Sequence, residues 1–159
     1  MSARAPLLRP LLFGLLALGL IGTTAELLLL EHYEGPWQLI PFIVISLVAL
    51  SMVWHLVSRS GASVVGIRIA MTLLLVTGLA GVLLHFRGNM EFQLEVDPSA
   101  HGWALVRKIL RAKAPPALAP AALSQLALLG LVYAYRHPVL SEAGPAGPAE
   151  SKDLSTEEV

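Results

Sequence analysis

The chain contains no cysteine, which excludes disulfides, thiolate nucleophiles, iron–sulfur clusters and cysteine-ligated zinc together. Charge is scarce as well: Asp, Glu, Lys and Arg make up 14% of the 159 residues, against roughly 25% in soluble domains. Basic and acidic residues balance at 11 each, so no surplus of positive charge exists to hold a polyanion. Nucleic-acid binding is set aside on that ground. Catalytic motifs are missing too. Ser46, Ser51 and Ser124 lie in apolar runs outside any G-x-S-x-G setting, and there is neither an HExxH helix nor a phosphate-cradling glycine loop. The reading therefore leans away from an enzyme.

What is present in excess is apolar surface. Hydrophobic residues reach 55%, above the roughly 45–50% of soluble proteins, and they are gathered into runs. Crossing a bilayer takes about 20 apolar residues, and four stretches qualify: Leu11–Leu30, Leu39–Leu56, Val64–Phe86 and Ala117–Tyr135. The expected fold is all-α, a single four-helix transmembrane bundle over residues 1–140. Pro36, Pro41, Pro116 and Pro120 fall in the first turns of the second and fourth helices, where proline is tolerated. No inverted repeat and no mid-span break of the transporter kind is found.

Basic residues resist translocation and so set orientation. Arg4 and Arg9 precede the first span and Arg59 and Arg68 flank the second link, whereas the first link from Glu31 to Gly35 has no Lys or Arg. Both termini are expected in the cytoplasm, in a bacterial-type inner membrane. The third link objects with Arg87, Arg107, Lys108, Arg111 and Lys113, but the first helix usually dominates. The N-terminal run, with small residues Thr23, Thr24 and Ala25 after an apolar core, also resembles a secretory signal peptide. Against cleavage, the apolar run resumes at Leu27 and reaches spanning length.

The third link, Arg87–Pro116, carries two patterns. Met90-Glu-Phe-Gln-Leu-Glu-Val96 alternates apolar and polar as a strand does. Asp97-Pro98 opens a short interfacial helix, with Trp103, Val106 and Leu110 on one side and Arg107, Lys108 and Arg111 towards the other. From Ser141 the composition SEAGPAGPAESKDLSTEEV reads as a disordered cytoplasmic tail.

The residues that are expensive to keep lie elsewhere. On the first helix Gly19, Gly22 and Glu26 share a face, and the third helix repeats the device with Gly78, Gly81 and His85. Small residues on such a face let a second helix approach closely. Glu26 lies seventeen residues beyond Arg9, and His85 seventeen beyond Arg68. Both helices run the same way, so both side chains are expected about 25 Å up a core roughly 30 Å thick, facing each other under the outer surface. Gln38, His32, Asn89, Glu91 and Gln125 gather near that level.

Three explanations compete for this cluster: polar glue between helices, a proton or ion relay, and a metal or haem site built from Glu26, His85 and His32 or Glu91. No cofactor is favoured, because there is no Glu-x-x-His repeat and no pair of histidines four apart on one helix. His55 and His137 near the cytoplasmic ends of the second and fourth helices suggest a haem between them. Histidine at a helix end is more often an interfacial residue beside the carbonyl dipole. The partners implied are membrane lipids and other membrane subunits. The leading reading is a non-enzymatic subunit or accessory factor of a membrane assembly, and the alternative is a proton-, metal- or haem-linked protein using Glu26 and His85.

Overall fold

A computed structural model describes residues 5–112 and 116–141. Three helices are long and apolar enough to cross a membrane: α1 (Ala5–Leu29), α2 (Ile40–Ser58, entered through a 3-10 turn, Pro36–Leu39) and α3 (Gly61–Val96). α4 (Gly102–Leu110), α5 (Ala121–Ala134) and the single turn α6 (Pro138–Ser141) follow. The α2–α3 reversal takes only two residues. Arg59 adopts the left-handed conformation at φ 44° and donates its N–H to the His55 carbonyl. Ser60 caps the next helix by accepting from the Ser63 N–H at 3.2 Å, which satisfies a donor that the first turn cannot use internally.

α5 runs antiparallel to α3. His85 Nδ1 donates to the Pro116 carbonyl at 3.1 Å near the start of that segment, and Arg68 donates to the Ala134 carbonyl at 2.9 Å at its end. α1 packs on α5 and α2, and α2 on α3, so the four apolar helices close a ring. Leu16, Val48, Ile67, Met71, Leu74 and Ala127 are fully buried at its centre. Since Leu16 and the nearly buried Leu20 lie in the stretch that signal-peptide cleavage removes, a chain cut after Ala25 forfeits both buried α1 residues of this core.

Three expectations change. Residues Met90–Val96 form the last turns of α3 and not a strand. A lone strand leaves its N–H and C=O groups unpaired, whereas a helix pairs them internally; Met, Glu, Gln and Leu are good helix formers, and an Arg87–Glu91 ion pair at 2.8 Å spans one turn there. With 36 residues α3 extends about 54 Å, well beyond a bilayer core. The short helix is present but begins at Gly102 behind His101, because Asp97 is occupied in ending α3. Its inner ridge is Leu105, Val106 and Ile109, while Trp103 and Leu110 lie exposed. Finally, the helical part of the fourth apolar run is α5 alone, 14 residues or about 21 Å, preceded by turns at 117–120. The tail reading falls on residues 142–159, outside the described ones.

Asp97 ties α4 to the end of α3. Its carboxylate accepts from Lys108 Nζ at 2.7 Å and from the hydroxyl and N–H of Ser99. The Lys108 bond, then the Ser99 hydroxyl, lower its pKa to about 2. A carboxyl whose folded pKa is depressed contributes above its unfolded value, and that contribution is lost as pH falls through the folded one. Amide exchange across Gly102–Leu110 should therefore quicken relative to α3 between pH 4 and 2, and Asp97→Asn should show the faster exchange already at pH 7. Unchanged exchange in the variant would remove the tether.

Candidate functional site

At the end of the bundle away from Arg9, the residues singled out above do not form one cluster. Glu26 is exposed on α1, and among the described residues no hydrogen bond or ion pair joins it to His85. His85 instead lies beside His32, with ring centroids 6.4 Å apart. Burial, then the nearby His85, holds the His32 pKa below the ordinary histidine value. Glu91 is taken by Arg87. Gln38 folds back to accept from the Gly35 N–H at 2.9 Å, closing the turn that leads into α2. Asn89 is buried at 3% exposure on α3, and Gln125 faces outward from α5. Among the described residues no three His, Asp or Glu side chains group closely enough to hold a metal ion.

The four glycines also divide. Gly78 faces the Pro120 carbonyl and the Ser124 N–H and hydroxyl, and Gly81 faces the Pro120 ring. Gly78 lets α3 and the start of α5 meet backbone to backbone, and Gly81 makes room for the Pro120 ring. Gly19 receives the Leu126 side chain, whereas a side chain at Gly22 would meet nothing within 4 Å. Gly22 and Glu26 thus lie one turn apart on an open face of α1.

The most enclosed polar cluster lies at the opposite end, where α1 begins and α2 and α5 finish. His55 and His137 are 6% and 9% exposed, so both are interior groups. Their rings pack edge to face with centroids 5.0 Å apart, and Tyr133 touches both at 6.0 and 5.4 Å. His55 Nδ1 lies 2.8 Å from Ser63 Oγ, whose hydroxyl donates to the Ser60 carbonyl at 2.7 Å. A serine has one proton to give. For both bonds to stand together His55 donates from Nδ1, which leaves its Nε2 lone pair free.

Two arginines complete the end of α5. Arg9 donates to the carbonyls of Tyr135 and Arg136 at 3.5 and 3.0 Å, and Arg68 to that of Ala134. These carbonyls lack helical partners and carry the negative end of the helix dipole. Beside them a cavity of about 300 Å³ is lined by Arg9, His55, Arg59, Tyr133 and His137 together with apolar side chains. Two buried nitrogens there have no hydrogen-bond partner: Arg9 Nη1 and His137 Nδ1. Burial first, then Arg9, His55 and Arg68, holds the His137 pKa below the ordinary histidine value.

A haem between these histidines does not fit, because direct ring contact leaves no slot for a macrocycle. The cluster escapes a linear reading because the chain doubles back: Tyr135 is extended and Arg136 is left-handed at φ 44°, which turns His137 inward. The available signal was the coincidence of Arg9, Arg59, Arg68 and Arg136 with both histidines at one end of the spans. No family model matches the chain, and neither the curated proteins nor the solved structures contain a match.

Proposed function

We propose that this chain is a non-enzymatic subunit of a larger assembly in a bacterial-type inner membrane, with a transmembrane domain over residues 1–140 and a cytoplasmic tail. The three long apolar helices are compatible with membrane integration. A fourth crossing is supported by the course of the segment from Pro116 to Ala134, which follows α3 from His85 back to Arg68, about 25 Å of helix axis. Arg9, Arg59, Arg68 and Arg136 share one end, which supports a cytoplasmic side for both termini by the bias of basic residues.

The observation that carries the subunit reading is Glu26. A carboxylate in an apolar helix costs ~2.5–3.5 kcal/mol at the bilayer centre and less towards an edge. Side chains that bear such a cost face the protein interior or pair with another group, yet Glu26 faces outward, next to the open Gly22. A helix from another subunit resolves both facts: it packs on Gly22 and brings a donor to Glu26. The alternative, a proton-linked protein, rests on the His32–His85 pair, which lacks a contacting carboxylate among the described residues.

The test is a photo-crosslinking residue at position 22 in the full-length protein in its native membrane, with position 69 on the exposed side of α3 as control. A single heavier adduct from position 22, absent from position 69 and lost with Glu26→Leu, is the expected outcome. Equal labelling from both positions, or adduct formation indifferent to Glu26→Leu, sinks the proposal.

A further inference from the structure

The cavity at the arginine-rich end has a use that the subunit reading does not require. Apart from the His55 Nε2 lone pair, its polar side is built largely from groups that can donate. Arg9 spends Nη2 on α5 carbonyls and leaves Nη1 buried and unpaired; His137 leaves Nδ1 buried and unpaired; Arg59 adds a second guanidinium. A buried donor without an acceptor costs about 1–3 kcal/mol, more when charged, so a vacant acceptor position is implied beside them. The described residues at this end include no Asp or Glu to fill it: Glu26, Glu31, Glu34, Glu91, Glu95 and Asp97 all lie towards the other end. The same charge distribution argues against a metal ion, because two imidazoles flanked by two guanidinium groups repel a cation.

The remaining walls are Pro10, Phe13, Leu56 and Val139, all apolar. A cavity of about 300 Å³ is at the small end of ligand sites. Its position matters as much as its size. Arg9 and Arg59 lie at the ends of spanning helices, where the headgroups of a surrounding bilayer are found. Guanidinium and imidazole donors on one side with apolar surface on the other match an oxyanion joined to a hydrocarbon chain. Arginine in particular suits phosphate through its paired N–H groups.

We propose that this cavity binds the phosphate of an anionic phospholipid, with Arg9, Arg59 and His137 donating to its oxygens and the first acyl carbons lying on Phe13 and Leu56. The protein then carries a specific lipid at its basic end. This assignment is independent of the crosslinking result, since it concerns the opposite end of the bundle and holds for a lone chain.

The experiment is native mass spectrometry of the full-length protein, delipidated in neutral detergent and titrated with dioleoylphosphatidylglycerol or with dioleoylphosphatidylcholine. One phosphatidylglycerol per chain should bind about tenfold or more above phosphatidylcholine, whose phosphate offers the same oxygens but brings a quaternary ammonium that the Arg9 and Arg59 guanidinium groups repel. Arg59→Gln and His137→Gln, which leave the Arg9 and Arg68 bonds to α5 in place, should each abolish most of that preference. Arg107→Gln, removing an exposed basic group on α4, should retain it. Thermal unfolding of each variant reports whether the fold survives, and direct binding to wild type decides the question if one variant fails to fold. Equal binding of the two lipids overturns the proposal. So does phosphatidylglycerol preference that persists in both cavity variants, or inorganic phosphate that competes at the lipid's own affinity.

Discussion

Gly78→Leu should unfold the bundle or break its α3–α5 seam, with a loss of about 3 kcal/mol or more. A Cβ at this position would lie 2.7 Å from the Ser124 backbone nitrogen and 3.1 Å from the Pro120 carbonyl oxygen. Backbone cannot move aside as the tip of a side chain can. Relief would require α5 to lift from α3, and between apolar helices in lipid it is close packing, not expulsion of water, that holds helices together. The paired substitution is Gly22→Leu, where nothing lies within 4 Å; it should leave the stability of the isolated chain within about 0.5 kcal/mol. Reversible unfolding in mixed micelles measures both. In native membranes the same Gly22→Leu should lower recovery of the proposed partner, because the added side chain occupies its docking face. Equal stability changes for the two glycine variants would show that the close approach at Gly78 does not hold the seam, since leucine gains helix propensity over glycine at both positions.

Arg68→Leu should cost about 1.5–3 kcal/mol, the worth of a hydrogen bond to a charged group. The half-buried guanidinium is 2.9 Å from the Ala134 carbonyl, one of the last acceptors of a helix whose next residues turn away. Leucine fills similar space, preserves the apolar character of α3, and leaves that carbonyl unpaired where water is scarce. Arg9 donates only to the neighbouring carbonyls of Tyr135 and Arg136 and so does not replace the lost bond. Arg68→Lys should recover part of the loss, since it keeps the charge but gives up the guanidinium's reach. Unfolding free energies in mixed micelles decide the matter: a loss below about 0.5 kcal/mol, the scale of an ordinary surface change, would mean that α5 is held by packing alone.

Part of this architecture was legible in the linear chain. The first three spans were found because each contains enough apolar residues to exceed the spanning length, a local property that no packing arrangement alters. The Met90–Val96 alternation misled for the complementary reason: a period of two is a strand signal only when a neighbouring strand exists to accept the hydrogen bonds, and α3 continued instead. Asp97 was read as the start of a helix, since an N-cap residue and a C-terminal tether look alike until Lys108 is seen to reach it.

The candidate sites show the same division. The proximity of His85 and His32 follows from helix order and length, and the equal spacing of Glu26 and His85 from their arginines is a matter of counting. Which way each helix is rotated about its axis is not. The rotation of α1 that turns Glu26 outward is set by Leu16 and Leu20 packing inward and by Leu126 seating on Gly19. Counting along the helices therefore brings His85 near His32, whereas the direction of Glu26 is beyond its reach.

The sequence by itself determined an apolar, cysteine-free chain with lipid-length helices and with Arg9, Arg59, Arg68 and Arg136 at the same end of the spans, because span length and charge placement are additive along the chain. Tertiary structure alone decided that Glu26 faces out, that His55 and His137 are interior, and that Arg9 and His137 each keep a buried nitrogen without a partner. Those outcomes depend on helix rotation and on the left-handed residues Arg59 and Arg136. Both are settled by contacts between segments far apart in sequence, which no local pattern encodes.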